Sequence, residues 1–160
     1  MKQFIVFLFA ISVMACSGGG DPAPTPTPPP PPTVNVATLV KKAWTVNSAQ
    51  WDGVTKYDKT STSNVVQGYS QYKLDLSTAG SVTLTEFDGK IFTGSYTVAT
   101  DGLSLTLNGL TSADGAPTGT GGTIIYTILS TPTVTGLSLQ QTTAYVKASS
   151  AIVKLALVNP

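Results

Sequence analysis

The feature that most constrains the fold is an alternation of apolar and polar residues in short runs from about residue 69 to the C-terminus. The runs 81–87 (SVTLTEF), 103–108 (LSLTLN) and 136–141 (GLSLQQ) are examples. Successive side chains of a strand point to opposite faces, so a period of two gives a sheet one apolar face and one solvated face. The pattern predicts an all-β domain of antiparallel strands.

Turn signals separate these runs and set the number of strands. Two Asp-Gly pairs, Asp88-Gly89 and Asp101-Gly102, favour hairpins with type I′ turns, which need positive φ at both central positions. Polar stretches at 52–67 and 112–122 are predicted to be long loops, and 35–43 to be a short helix with Asn35 as its N-cap. Eight strands are predicted, at 44–51, 69–76, 81–87, 90–98, 103–108, 123–130, 136–141 and 151–158.

The alternation also predicts which side chains face the core. The strand at 123–130 is left open, because Ile124-Ile125 makes both of its faces apolar. Trp44 is expected to plug one end of the sheet structure. The residues predicted to point inward are Tyr72, Leu74, Leu76, Val82, Leu84, Phe92, Tyr96, Val98, Leu103, Leu105, Leu107, Leu137, Leu139, Val153, Leu155 and Leu157.

The N-terminus has the pattern of a secretion signal. Residues 4–15 are apolar and too few for a bilayer span of about 20 residues. The run ends at Val13-Met14-Ala15-Cys16, followed by small residues, and resembles the lipobox of bacterial lipoproteins. The resemblance implies that Cys16 becomes the lipidated first residue of the mature chain. The alternative is an ordinary signal peptide with an incidental Cys, although a lone free thiol is unusual in an exported protein.

A proline-rich tract follows the cysteine. Residues 22–33 hold eight of the eleven prolines of the chain, which favours a polyproline II spacer that cannot pack as a core. We therefore expect a signal peptide at 1–15, a lipidated Cys and tether at 16–34, and one folded domain at 35–160. The expected location is the cell envelope, anchored by lipid at Cys16 to the outer membrane, with the side of the membrane left open.

Composition argues against several functions. The chain has no His, no Arg and one Cys, and without Lys2 it has eight Lys against eight carboxylates. Nucleic-acid binding lacks a cationic face, and metal or cofactor sites lack their usual ligands, so we expect neither. Catalysis would depend on carboxylates such as Asp75 with Glu86, and we expect no enzyme. Asp88 is expected to serve its turn.

From about residue 39 to 158 the chain resembles the lipocalin-like domains of small bacterial lipoproteins that are common in Bacteroidota. The residues that carry the resemblance are Leu39, Trp44-Thr45-Val46, Asp88-Gly89, 94–98 (GSYTV) and 101–107 (DGLSLTL). The resemblance implies an eight-stranded antiparallel meander barrel with a short N-terminal helix, and a ligand-binding role.

Two functional hypotheses follow from such a barrel. In the first, the interior binds a small apolar or amphipathic molecule, with candidate contacts at Tyr72, Leu74, Leu84, Phe92, Tyr96 and Leu105. In the second, these residues are plain core, and the protein is a non-catalytic structural or interaction module that binds an envelope protein through a sheet edge or its loops. The volume of the interior distinguishes the two hypotheses.

Overall fold

The computed structural model describes residues 34–160; the predicted signal peptide, Cys16 and most of the tether lie outside the described residues. Its elements follow one another in a simple order. They are the helix α1 (Val36–Val40), the strands β1 (Ala43–Trp51), β2 (Val54–Asp58), β3 (Lys73–Asp75), β4 (Ser81–Thr85), β5 (Ile91–Val98), β6 (Ser104–Thr111), β7 (Ile124–Ile128), β8 (Gly136–Gln141) and β9 (Val153–Val158), and two 3₁₀ helices at Gln67–Gln71 and Val146–Ala148.

The sheet closes on itself. Each strand from β3 to β9 pairs with the next in antiparallel fashion, and β1 pairs with β3 on one side and with β9 on the other. The eight strands β1 and β3–β9 therefore form a closed barrel, while β2 pairs only with the second half of β1. The predicted eight-stranded antiparallel meander barrel with a short N-terminal helix is confirmed.

The prediction of a loop over the whole of 52–67 is wrong, because this stretch contains β2. Asp52 and Gly53 both have positive φ, 47° and 80°, and they join Trp51 to Val54 in a two-residue hairpin. At Asp88-Gly89 and Asp101-Gly102, where type I′ turns were predicted, only the glycine has positive φ, so neither is a type I′ turn. No alternation indicated β2, because Tyr57 is its one buried side chain.

Two further predictions need correction. Residues 69–71 belong to the 3₁₀ helix Gln67–Gln71 and not to a strand, although Tyr69 is still buried. Leu103, predicted to point inward, is 61% exposed, because the chain is still in the turn at Gly102 and β6 begins one residue later. In β7, where no register was predicted, Ile124, Tyr126 and Ile128 face the core.

The helix and Trp44 close one end of the barrel. Asn35 caps α1 by accepting a hydrogen bond from the Thr38 amide at 3.2 Å. Trp44 has no exposed surface, and its Nε1 donates to the Val40 carbonyl at 2.8 Å. The predicted plug is thus tied directly to the last turn of the helix. The opposite end, where β1, β4, β6 and β8 finish, is called the mouth below.

Candidate functional site at the barrel mouth

The six predicted ligand contacts all lie inside the barrel, but not together. Tyr72 and Leu84 line a small cavity near the mouth. Tyr96 lies deeper, where its hydroxyl donates to the Leu76 carbonyl at 3.1 Å. Their role as ligand contacts stays a prediction. The exposed fraction is at most 8% for each member of the set, which comprises Tyr72, Leu74, Leu84, Phe92, Tyr96 and Leu105.

The interior is almost filled by side chains. The cavity near the mouth has a volume of about 10 Å³, which is close to the minimum for one water molecule. Sites for drug-sized ligands are larger, at about 300 Å³ or more. The cavity is lined by Tyr69, Tyr72, Leu84, Glu86, Phe87, Ile124, Tyr126, Gln141, Tyr145, Val153 and Leu155.

Polar tips of buried aromatic rings meet at this cavity. The hydroxyl oxygens of Tyr72 and Tyr126 are 3.3 Å apart, within hydrogen-bonding distance. Burial raises the pKa of Tyr126 to about 12, although side-chain hydrogen bonds to Tyr72 and Gln141 oppose the shift. Gln141 is 6% exposed, and within residues 34–160 its Oε1 has no hydrogen-bond partner. The cavity wall therefore has an unused acceptor, which is costly in a dry interior.

A buried carboxylate lies beside these groups. Glu86 follows β4 and is 2% exposed. It accepts hydrogen bonds from the Tyr145 hydroxyl and from Lys147 Nζ, and the same nitrogen lies 2.8 Å from Asp88 Oδ2. Lys147 Nζ also lies 5.4 Å from the centroid of the Phe92 ring. One ammonium group is thus held by two carboxylates and an aromatic face.

The charges of this cluster shift one another's protonation. Burial alone would lower the pKa of Lys147, but the hydrogen bonds to Asp88 and Glu86 outweigh it and raise that pKa above its ordinary value. Burial alone would raise the pKa of Asp88. Its hydrogen bonds from Lys147 and from the Lys90 amide outweigh burial, so the pKa of Asp88 lies below its ordinary value. Burial and the neighbouring Glu86 together raise the pKa of Tyr145. The cluster therefore keeps Lys147 and Asp88 charged.

Tyr145 and Lys147 both lie on the β8–β9 connection, called the mouth loop (residues 142–152). Ser149 and Ser150 have positive φ, 57° and 59°, which is an unfavourable backbone conformation for residues other than glycine. The loop is fixed at its end by Asp52, whose Oδ1 accepts from the Ile152 amide at 2.9 Å. The mouth loop thus covers the cavity in a strained conformation.

A groove on the surface adjoins the cavity. It has a volume of about 290 Å³ and shares Ile124, Gln141 and Tyr145 with the cavity wall. The rest of its lining is uncharged and consists of Gly119, Thr120, Thr123, Ile125, Thr142, Thr143 and Ala144. Surface and interior are therefore separated only by the side chains that the two spaces share.

The sequence interpretation missed most of these residues. Glu86 continues the period of Val82 and Leu84, and Gln141 continues that of Leu137 and Leu139, so alternation extended to polar residues would have placed both inward. Glu86 was considered only as one of a pair of catalytic carboxylates, and not as a partner of Lys147. Asp75 instead accepts a hydrogen bond from Ser77 at 2.6 Å and pairs with Lys73. The turn role expected of Asp88 is confirmed by its hydrogen bond from the Lys90 amide.

Between residues 34 and 160, no three His, Cys, Asp or Glu side chains are grouped as they would be around a metal ion. In the same range, no helix has the length and apolar character needed to cross a bilayer.

Comparison with known proteins adds two solved structures. A lipocalin-like protein from Bacteroides uniformis is 12% identical, with a TM-score of 0.49 over 76% of this chain and 99% of that one. An uncharacterized protein from Bacteroides eggerthii is 14% identical, with a TM-score of 0.44 over 74% and 98% of the two chains. No family model and no curated protein matches the sequence.

These similarities are too weak to bear on function, and the class of the protein rests on its own strand pairing. An eight-stranded up-and-down antiparallel barrel, closed at one end by a helix and a Trp, is a lipocalin-like barrel. This is the architecture that the sequence resemblance implied.

Proposed function

We propose that this protein is a non-catalytic, lipid-anchored protein of the cell envelope whose barrel binds a small amphipathic molecule at the mouth. The acyl chains at Cys16 would hold it on the outer membrane, and the proline-rich tether would separate the barrel from the lipid head groups. The ligand would be taken from the space around the mouth.

One observation supports ligand binding above all: polar side chains are buried among aromatic rings at the mouth. Glu86, which pairs with Lys147, and Gln141, whose Oε1 has no partner within residues 34–160, both line the cavity. A barrel selected only for stability would favour apolar side chains there, because burying a charge or an unpaired acceptor costs free energy. Apolar walls with a few convergent polar groups are typical of ligand sites.

A second candidate function is supported by the cavity volume of about 10 Å³. A filled barrel suits a structural or interaction module that binds an envelope protein through its surface. Closure removes free sheet edges from the barrel itself, and the outer edge of β2 is the exposed strand edge that this hypothesis would use.

Native mass spectrometry of the protein purified from its own host tests ligand binding. A retained small molecule, or a thermal shift with members of a lipid and metabolite panel, is the expected result. If no molecule is retained and no panel member shifts the melting temperature, the ligand proposal fails and the module remains.

Metabolic labelling with an alkyne fatty acid tests the anchor separately. We expect label on the wild-type protein and none on Cys16→Ser. Equal labelling of both proteins, or a membrane-free wild type, would refute lipidation at Cys16.

A further inference from the structure

We infer that the pocket formed by Glu86, Asp88 and Phe92 is a binding site for the ammonium group of an amphipathic amine, and that Lys147 occupies this pocket when no ligand is bound. The inference rests on the proposed ligand-binding function and names the chemical class of the ligand. The mouth loop then acts as an internal competitor.

The pocket has the chemistry of an organic-cation site. Glu86 and Asp88 contribute two carboxylates to one nitrogen, and Phe92 presents its ring at 5.4 Å. An ammonium over an aromatic face is attracted to it, and more strongly where water is excluded. Glu86 and Phe92 are each 2% exposed, whereas the Asp88 side chain is 34% exposed, so the pocket is shielded from solvent on one side and open at Asp88.

The present occupant belongs to the mouth loop, which buries Tyr145, Ala148 and Ala151 and also holds two residues in an unfavourable backbone conformation. Lys147 and Tyr145 provide the hydrogen bonds to Glu86, and both belong to the mouth loop. The loop holds Ser149 and Ser150 in the left-handed region. Moving the loop outward would relieve this backbone conformation, and would remove the Tyr145 ring from the cavity wall.

The cavity beside the mouth loop also contains an uncharged hydrogen-bond acceptor. Gln141 is buried and lines both the cavity and the groove, and its Oε1 has no partner within residues 34–160. A primary ammonium has three donors, so it can reach an acceptor beyond the two carboxylates. Gln141 and Glu86 line the same small cavity, so the unused acceptor lies on the Glu86 side of the pocket, where a donor-bearing ligand could reach it.

The surface groove could bind the apolar part of the ligand. The groove has a volume of about 290 Å³ and shares Ile124, Gln141 and Tyr145 with the cavity that Glu86 lines. Its lining includes Ile125 and several threonines but no charged residue. Such a lining suits an uncharged, mainly apolar body. The ligand class is therefore an amine with a cationic head and an apolar tail.

Hexylammonium, with hexan-1-ol and hexanoate as isosteres, tests the inference at constant ionic strength. The full chain with Cys16→Ser is the parent, because it lacks acyl chains that would compete. We expect saturable binding of hexylammonium to the parent, with NMR shifts at Phe92, Gln141 and the mouth loop. Lys147→Met should bind it about tenfold more tightly or better, because an intramolecular competitor has been removed.

Two variants control for indirect effects. Glu86→Gln in the Lys147→Met background should lose the gained affinity. Lys154→Met should behave as the parent, because Lys154 is exposed on β9 and lines neither the cavity nor the groove. If Lys147→Met fails to fold, the titration of the parent with hexylammonium alone tests the inference.

The inference is overturned if hexylammonium causes no saturable shifts in the parent, if Lys147→Met gains no affinity, or if hexan-1-ol binds as well as the amine. Binding of the alcohol, of hexanoate or of a neutral host molecule at the mouth, without the amine, would leave the proposed function standing. If no probe binds and no molecule is retained from the host, both the inference and the proposed ligand-binding function are refuted.

Discussion

Trp51 Nε1 donates a hydrogen bond of 2.8 Å to the hydroxyl oxygen of Tyr69, which joins the end of β1 to the 3₁₀ helix at the mouth. Phe87 packs against both rings, with centroid distances of 6.1 Å to Trp51 and 5.0 Å to Tyr69. These three side chains pack together at the mouth and form part of its wall. Their contacts explain why the chain leaves the strand pattern at 67–71.

Replacing Tyr69 by Phe tests the value of this hydrogen bond. The indole N–H would lose its partner at a partly buried position, and we expect the free energy of unfolding to fall by about 1–3 kcal/mol in urea denaturation. Tyr57→Phe is the matched control, because its ring packs against Tyr69 and its hydroxyl makes no side-chain hydrogen bond within residues 34–160. Equal losses in the two variants would contradict the prediction.

Gly68 is required for lack of space rather than for its backbone conformation. A Cβ at this position would lie 1.9 Å from the Phe87 carbonyl oxygen. We expect Gly68→Ala to cost about 1–3 kcal/mol or more of unfolding free energy through displacement of the backbone. Gly121→Ala, with φ of 59° and open space around it, should cost about 1 kcal/mol from backbone strain alone. The reverse order of stability in thermal denaturation would disprove this assignment.

Trp44 connects the barrel to α1, so its loss should act on the helix as well as on the core. We expect Trp44→Ala to cost about 3–5 kcal/mol, because it leaves a large cavity at the closed end. Amide hydrogen exchange should accelerate over 36–42. Trp44→Phe keeps most of the ring and loses the bond to the Val40 carbonyl, so a smaller effect is expected. Unchanged exchange in the helix of Trp44→Ala would argue against the connection.

The Lys147–Asp88 pair predicts how stability depends on pH. The pKa of Asp88 is lowered from 3.8, so its contribution is complete above that value and is lost as the pH falls through the folded-state pKa. The pKa of Lys147 is raised from 10.5, so its contribution is complete below that value and is lost as the pH rises through the folded-state pKa. Stability should therefore decline at both extremes.

Melting curves of the wild type and Lys147→Met across this pH range measure the effect. The variant should be less stable on the plateau, and its decline at both extremes should be shallower, because the lost pair no longer titrates. A constant difference between the two proteins at every pH would mean that the ion pair contributes nothing to stability.

Alternation predicted the strands from 81 onward well, because in a closed barrel one face of every strand is dry. Leu84, Leu105, Leu139 and Leu155 were all placed inward by their spacing alone, and all are buried. The prediction failed where another force determines the backbone. Strand β2 is held by backbone pairing and the Asp52-Gly53 turn, without a buried face that a periodic pattern could reveal.

Local alternation and turn residues in the amino-acid sequence predicted the antiparallel strands, because these signals act over only a few positions, whereas the closed barrel was implied by the resemblance to lipocalin-like domains. The tertiary structure alone decided that the interior is nearly full and that Glu86 meets Lys147, 61 residues further along the chain. Cavity volume depends on how rings from different strands interlock, and an ion pair depends on which loop crosses the mouth. Neither quantity is a property of any short segment, so no local pattern could have predicted it.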